Sequence, residues 1–252
     1  MSKLNLTSFI QSINWIWLVI TLLVFSLLIK LGIWQSNRAI EKEQRLTRIE
    51  ALTRSEPQDL SVLLKKMDNN ELMLNDIPVR LKGRFEPDIL FLLDNQPNQR
   101  KLGYKVYQVF NHNELKVLVN LGWVAGSVNR KELPDIEALE GDFEFVGNIR
   151  YIDIGVMLTE QVFDQVSWPL RVQQIEINKF SRLINTQLLP FAVFLDKKEA
   201  VGYEKNWQPV VMPPEKHWGY AFQWFSLAIA WLSLMIWAAI KFHKNKYNNK
   251  AL

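Results

Sequence analysis

The chain has 252 residues, 22% of them charged, a formal net charge of +4 and no cysteine, which excludes disulfides, thiolate metal sites and a thiol copper chaperone. All 26 acidic residues and 24 of the 30 basic ones lie between Trp34 and His217, so that stretch is net −2. The remaining lysines, at 3, 30, 241, 244, 246 and 250, flank two apolar runs, which ties the positive balance to lipid head groups and gives no nucleic-acid footprint.

The first apolar run, Ile13 to Ile29, rises about 25 Å as a helix, and Leu31, Ile33 and Trp34 extend it past Lys30, whose long stem can snorkel to the interface. Lys3 alone precedes it and no small-x-small cleavage site follows, so the expectation is a retained anchor over 13–34 behind a cytoplasmic segment 1–12. After Trp34 the Gly- and Pro-free run QSNRAIEKEQRLTRIEAL carries Ile40, Leu46, Ile49 and Leu52 among charges and predicts continuation of this helix. A short helix is expected from Asp59 to Met67.

The period then changes to two. Val79 and Leu81 alternate with Arg80, Lys82 and Arg84, and Phe143, Phe145, Gly147, Ile149 and Tyr151 alternate with more polar neighbours. Further strands are expected at Ile89–Leu93, Tyr104–Phe110, Leu115–Leu121, Leu170–Ile177 and Phe191–Leu195, separated by Asn, Asp, Gly and Pro clusters. The segment Asn111-His112-Asn113-Glu114 predicts a hairpin turn, and Lys179 to Leu188 a later helix. The carboxylates Glu132, Asp135, Glu137, Glu140 and Asp142 lack a partner histidine and read as a solvated loop. The fold expected for 35–216 is an α+β domain, mostly an antiparallel sheet or partly closed barrel with short helices.

The second apolar run, Trp218 to Ile240, has 23 uncharged residues, or about 35 Å of helix, and defines a span over 217–240. The basic, acid-free tail 241–252 places the C-terminus in the cytoplasm, whereas Lys30, Arg38, Lys42, Arg45 and Arg48 pull the other way. Long domains translocate regardless of charge, so the short tail decides and both termini are expected inside.

No P-loop, dinucleotide fingerprint, zincin helix or nucleophile elbow occurs, and His112, His217 and His243 are far apart, so no catalytic residue is assigned and no enzyme is expected. His217 stands out: it opens the second span after Pro213-Pro214-Glu215-Lys216, with Tyr220, Ala221, Trp224 and Ala228 on its face. On residue chemistry alone this is either an interfacial aromatic belt or a ligand.

Three blocks carry a resemblance. Leu31-Gly32-Ile33-Trp34-Gln35 with Arg38 and Lys42 closes the first span. Lys82-Gly83-Arg84-Phe85, Leu93-Asp94-Asn95-Gln96, Gly103-Tyr104 and Val117 to Val124 mark the domain, and His217-Trp218-Gly219-Tyr220-Ala221-Phe222-Gln223-Trp224-Phe225 enters the second span. In this order they resemble the Surfeit locus protein 1 family, membrane-bound assembly factors for cytochrome c oxidase. Where the family often has Asn-Arg-Gly-Trp followed by Val-Pro, this chain has Leu121 and Ala125, so a role for a charge at 121 is not carried over.

The resemblance implies a bacterial inner-membrane protein that presents or stabilises haem a during maturation of oxidase subunit I, with subunit I and the haem a synthase as partners. It implies His217 as ligand to the haem iron. The expected site adds Tyr220, Trp224 and Trp34 against the ring, and Arg38 and Lys30 toward the propionates. Asn95, Asn120, Gly122 and Trp123 read as turn and packing positions. The alternative is a membrane-tethered scaffold that holds oxidase subunits or another envelope partner without a cofactor.

Overall fold

The computed structural model describes residues 15–66, 74–130, 132–152, 155, 161, 163 and 166–248. The expected segment 1–12, the Met67 end of the second helix and the last four residues of the tail lie outside the described residues. The chain divides into two compact units, one of Met1–Thr47 with Pro209–Leu252 and one of Arg48–Gln208.

α1 (Trp15–Thr53), which belongs to the first unit up to Thr47, and α4 (Pro214–Asn248) are both long and apolar enough to cross a membrane. α1 runs unbroken through the charged stretch after Trp34 and stops shortly before Pro57, a residue that disfavours helix in its predecessor. α4 opens on Pro214, which fits the first helical position because its missing N–H would be unpaired there, and Glu215 in the first turn complements the helix dipole.

The second unit contains β1 (Gln58–Asp59), α2 (Leu60–Lys66), β2 (Pro78–Asn98), β3 (Lys101–His112), β4 (Leu115–Ala125), β5 (Asp142–Arg150), β6 (Leu170–Val172), α3 (Ile177–Leu183) and β7 (Leu188–Leu195). Asp59 caps α2, its carboxylate accepting from the backbone N–H groups of Ser61 at 2.9 Å and Val62 at 3.2 Å. The sheet is mixed but mostly antiparallel, and it closes on itself: β2, β3, β4, β7 and β5 pair in turn and β5 pairs back on β2. β4–β7, β1–β2 and β2–β6 are the parallel contacts.

The two strands expected at 79–84 and 89–93 are one long β2. Its first half pairs with β5 and its second with β6, while β3 runs along both, across a register break between Phe85 and Leu90 that contains Pro87. Proline cannot donate to a ladder, so it sits where pairing is interrupted and the strand bends to close the ring. Strand alternation then separates two cores. Inside the ring lie Leu81, Phe85, Val106, Phe110, Val119, Phe145 and Val193, with the Phe85 and Phe110 rings 4.7 Å apart. On the outer face, Phe91, Tyr107, Leu118 and Phe194 pack under β6 and α3, where Phe91 stacks on Phe180 at 4.1 Å.

Three expectations are corrected. The strand expected over Leu170–Ile177 is only Leu170–Val172, because Ile175 and Ile177 turn into the outer core and Ile177 begins α3. The helix expected over Lys179–Leu188 is Ile177–Leu183, ended by Asn185 at φ 50, a left-handed conformation asparagine tolerates, and Leu188 starts β7. His112 belongs to β3 rather than a turn and is fully buried. The hairpin turn is Asn113-Glu114, both at positive φ as a two-residue type I′ turn requires.

Candidate functional site

His217 lies one turn into α4 on its buried edge, only 8% exposed. Its Nδ1 lies 2.7 Å from Oε1 of Gln35 on α1. An amide oxygen can only accept, so Nδ1 carries the hydrogen, and in the neutral ring Nε2 keeps its lone pair. No hydrogen-bond partner meets Nε2 among the described residues. A hydrogen bond of this kind to the other ring nitrogen fixes tautomer and ring orientation for a metal-binding imidazole.

The rest of the helix contact explains how His217 and Gln35 meet. Trp218 Nε1 donates to Glu43 at 2.8 Å, Trp231 Nε1 donates to the Thr21 carbonyl at 3.3 Å, and the Phe225 ring lies over Gly32. Residue numbers rise on α4 as they fall on α1, so the pair is antiparallel. A Cβ at Gly32 would stand 2.6 Å from the Phe225 ring, so glycine sets the approach here. Thr21, Gly32 and Ala39 on α1 and His217, Ala221 and Ala228 on α4 form the buried seam.

The other expected residues divide by position. Successive residues on a helix are about 100° apart, which puts Tyr220 and Trp224 on the same side of α4 as His217. Trp224 is half-buried and Tyr220 exposed. Arg38 lies one turn beyond Gln35, about 60° further round α1, with its guanidinium 2.6 Å from Glu41. Lys30 and Trp34 occupy the exposed side of α1 opposite the seam, and Trp34 is 53% exposed. The structure thus brings His217 and Gln35 into contact, aligns Tyr220 and Trp224 along the same edge, and does not bring Lys30 or Trp34 to that edge. In the sequence Gln35 stands at the end of the Leu31–Gln35 block, and the signal that singles it out is its place one turn after Gly32 on the small-residue face.

A second arrangement invites comparison with a catalytic triad. In the domain, His112 Nε2 is 2.9 Å from Ser61 Oγ, with Nδ1 against the Lys82 backbone. Asp59, the nearby carboxylate, lies 3.6 Å from Nε2, the same nitrogen that meets the serine. In a triad the acid sits on the opposite nitrogen to orient the base, so this geometry ties α2 to β2 and β3 instead of activating Ser61. The acidic stretch expected as a solvated loop has Glu132, Asp135, Glu137 and Glu140 exposed, while Ile136, Ala138 and Leu139 between them pack against the barrel core.

A family model described as the SURF1 family matches residues 22–229, most of the chain, leaving out the start of α1 and both residues of the Trp231–Thr21 contact. No curated protein matches the chain.

Proposed function

The chain belongs to the SURF1 family, whose members are cytochrome oxidase assembly factors rather than catalysts, and from that premise we propose that it presents or stabilises haem a during maturation of oxidase subunit I. The observation that carries the reading is the Gln35–His217 hydrogen bond, which leaves Nε2 as a lone-pair donor at the edge of a helix pair long and apolar enough to cross a membrane. Imidazole is a standard axial ligand for haem iron.

In this reading His217 would hold the iron through Nε2, with Gln35 keeping the ring in the correct tautomer. Tyr220 and Trp224 offer an aromatic strip along α4 for the apolar macrocycle. Arg38 lies at the polar end of the same side, where its guanidinium, now on Glu41, would form a charge-assisted pair with a propionate. Lys30 and Trp34, on the opposite side of α1, serve as interfacial anchors, the lysine snorkelling and the indole sitting at head-group level. Bound here, haem a supplies the iron centre destined for the oxidase. The protein's residues hold and orient it. The domain stands on the periplasmic side of a bacterial inner membrane with both termini cytoplasmic, and subunit I and the haem a synthase are its partners.

The test is the haem a content and absorption spectrum of the protein purified from cells that make haem a. Wild type carries haem, His217→Ala loses it or changes its spectrum, Gln35→Leu retains it about 10- to 100-fold more weakly, and Arg38→Glu weakens retention by repelling the propionates. If wild type carries none, or His217→Ala carries as much with an unaltered spectrum, the reading fails and a cofactor-free scaffold for oxidase subunits replaces it.

A further inference from the structure

The block Asn120-Leu121-Gly122-Trp123 plays no part in the helix-pair site, yet it is where β4 departs from regular pairing. Val106 faces Gly122 and Tyr107 faces Asn120, so Leu121 is an extra residue, a β-bulge. Leu121 turns fully into the barrel interior. The Asn120 carboxamide oxygen accepts from the Gly122 N–H at 2.9 Å, holding the bulge. Gly122 has φ +120, and a Cβ there would stand 2.7 Å from the backbone of Tyr203, so only glycine fits. That close approach lets 203–204 pair with the bulged strand, Tyr203 N–H to the Leu121 carbonyl at 2.7 Å and Trp123 N–H to the Glu204 carbonyl at 2.8 Å. The chain continuing from 204 then lays Lys205, Asn206 and Trp207 beside Lys105 and Asn120, with Phe194 and Leu195 completing a small pocket.

The polar equipment of this pocket is mostly donors. Asn120 is 5% exposed and its Nδ2, its oxygen already used, makes no hydrogen bond of good geometry among the described residues. The amide lies beside the buried Tyr107 phenol, whose pKa burial pushes well up, so that hydroxyl stays protonated. Lys105 projects from β3 two residues before Tyr107, on the same face, and its ammonium has no carboxylate partner among the described residues. Burial lowers its pKa, as it does that of Lys205. Lys205 Nζ spends two donors on the carbonyls of Glu199 at 2.9 Å and Val201 at 2.6 Å. One wall is the Trp207 ring, clamped from behind by the Arg150 guanidinium 3.9 Å from its centroid and touched edge-on by Phe194 at 6.0 Å.

A half-buried cation with no carboxylate partner among the described residues, beside a buried amide donor that has only the Tyr107 phenol near it and between apolar walls, calls for an anionic acceptor on a short apolar stem. We propose that the Lys105–Asn120–Trp207 pocket binds a carboxylate group, Lys105 and Asn120 Nδ2 donating to its oxygens and Trp207 and Phe194 packing on the carbon that carries it. The enclosed volume of about 10 Å³ takes one water-sized group, so a carboxylate oxygen enters and the remainder of the occupant lies at the mouth and outside. The inference concerns the domain alone and stands whether or not His217 binds haem.

Saturation-transfer NMR of propionate with the full chain in dodecyl maltoside micelles is the test, with propionamide as the uncharged isostere. Propionate should receive saturation, propionamide should not, Lys105→Met should weaken binding about tenfold or more, and Lys105→Arg should keep most of it. Equal signals for propionate and propionamide, or binding unchanged in Lys105→Met, would mean that the pocket holds water alone and would overturn the proposal. With propionate bound, a blocked tripeptide carrying one central glutamate separates the two sources of such a group: displacement assigns it to an acidic side chain of a protein, and no displacement to a small carboxylate.

Discussion

Arg150 and Asp76 are both nearly inaccessible to solvent and meet at 2.5 Å, with the guanidinium also lying over Trp207. A buried pair of this kind adds little against a hydrophobic replacement, yet breaking it from one side is costly because the other charge stays behind. Arg150→Met should therefore destabilise the domain by about 3–5 kcal/mol, and Asp76→Asn combined with Arg150→Met should recover most of that loss. Chemical denaturation of the two variants checks it, and equal stability of single and double variants would argue against the pair. Neither residue attracted notice in the sequence, because Asp76 precedes β2 and Arg150 ends β5, and only the closed ring brings them together. His112 went astray for a related reason. Polar neighbours made it read as a turn residue, while the I′ hairpin one step later leaves it inside the sheet with both ring nitrogens satisfied.

The helix pair depends on one small residue. α1 keeps glycine at 32, where it weakens an isolated helix by roughly 1 kcal/mol against alanine, because the Phe225 ring occupies the space a side chain would need. Gly32→Leu should destabilise the α1–α4 pair by about 1–3 kcal/mol through overpacking, and should loosen the Gln35–His217 contact one turn away. Ile33→Leu, at a position half exposed on α1, should change nothing. Unfolding by titration with dodecyl sulfate compares the two, and matching curves would show that the ring moves aside. The long element β2 carries the corresponding lesson for strands. Its alternating pattern was legible as two pieces, but the break containing Pro87 is a bend within one strand, since each half finds a different partner.

For the molecule as a whole, two apolar helices bracket a closed, mostly antiparallel barrel with short helices, and the basic tail sets the expected orientation. Reporter fusions after Asn113 and after Leu252 should therefore lie on opposite sides of the membrane, the first outside and the second in the cytoplasm. Both reporters on one side would remove one of the spans.

Sequence alone determined what depends on local pattern: two helices of membrane length, from unbroken apolar runs; strands and their faces, from period-two alternation; and the family, from three ordered blocks. It also marked His217, since a histidine that opens a span is chemically conspicuous. Tertiary structure decided what depends on pairing between residues far apart in the chain. It closed the ring, picked Gln35 from among the polar residues of α1 as the partner that fixes His217, and turned Lys30 and Trp34 to the other side. It also showed what Asn120, Gly122 and Trp123, legible as turn and packing positions, build together: a bulge around Leu121 beside the pocket that Lys105 and Trp207 line. Periodicity records which face of an element is buried, but not against what, and a site is made of the partners across that contact.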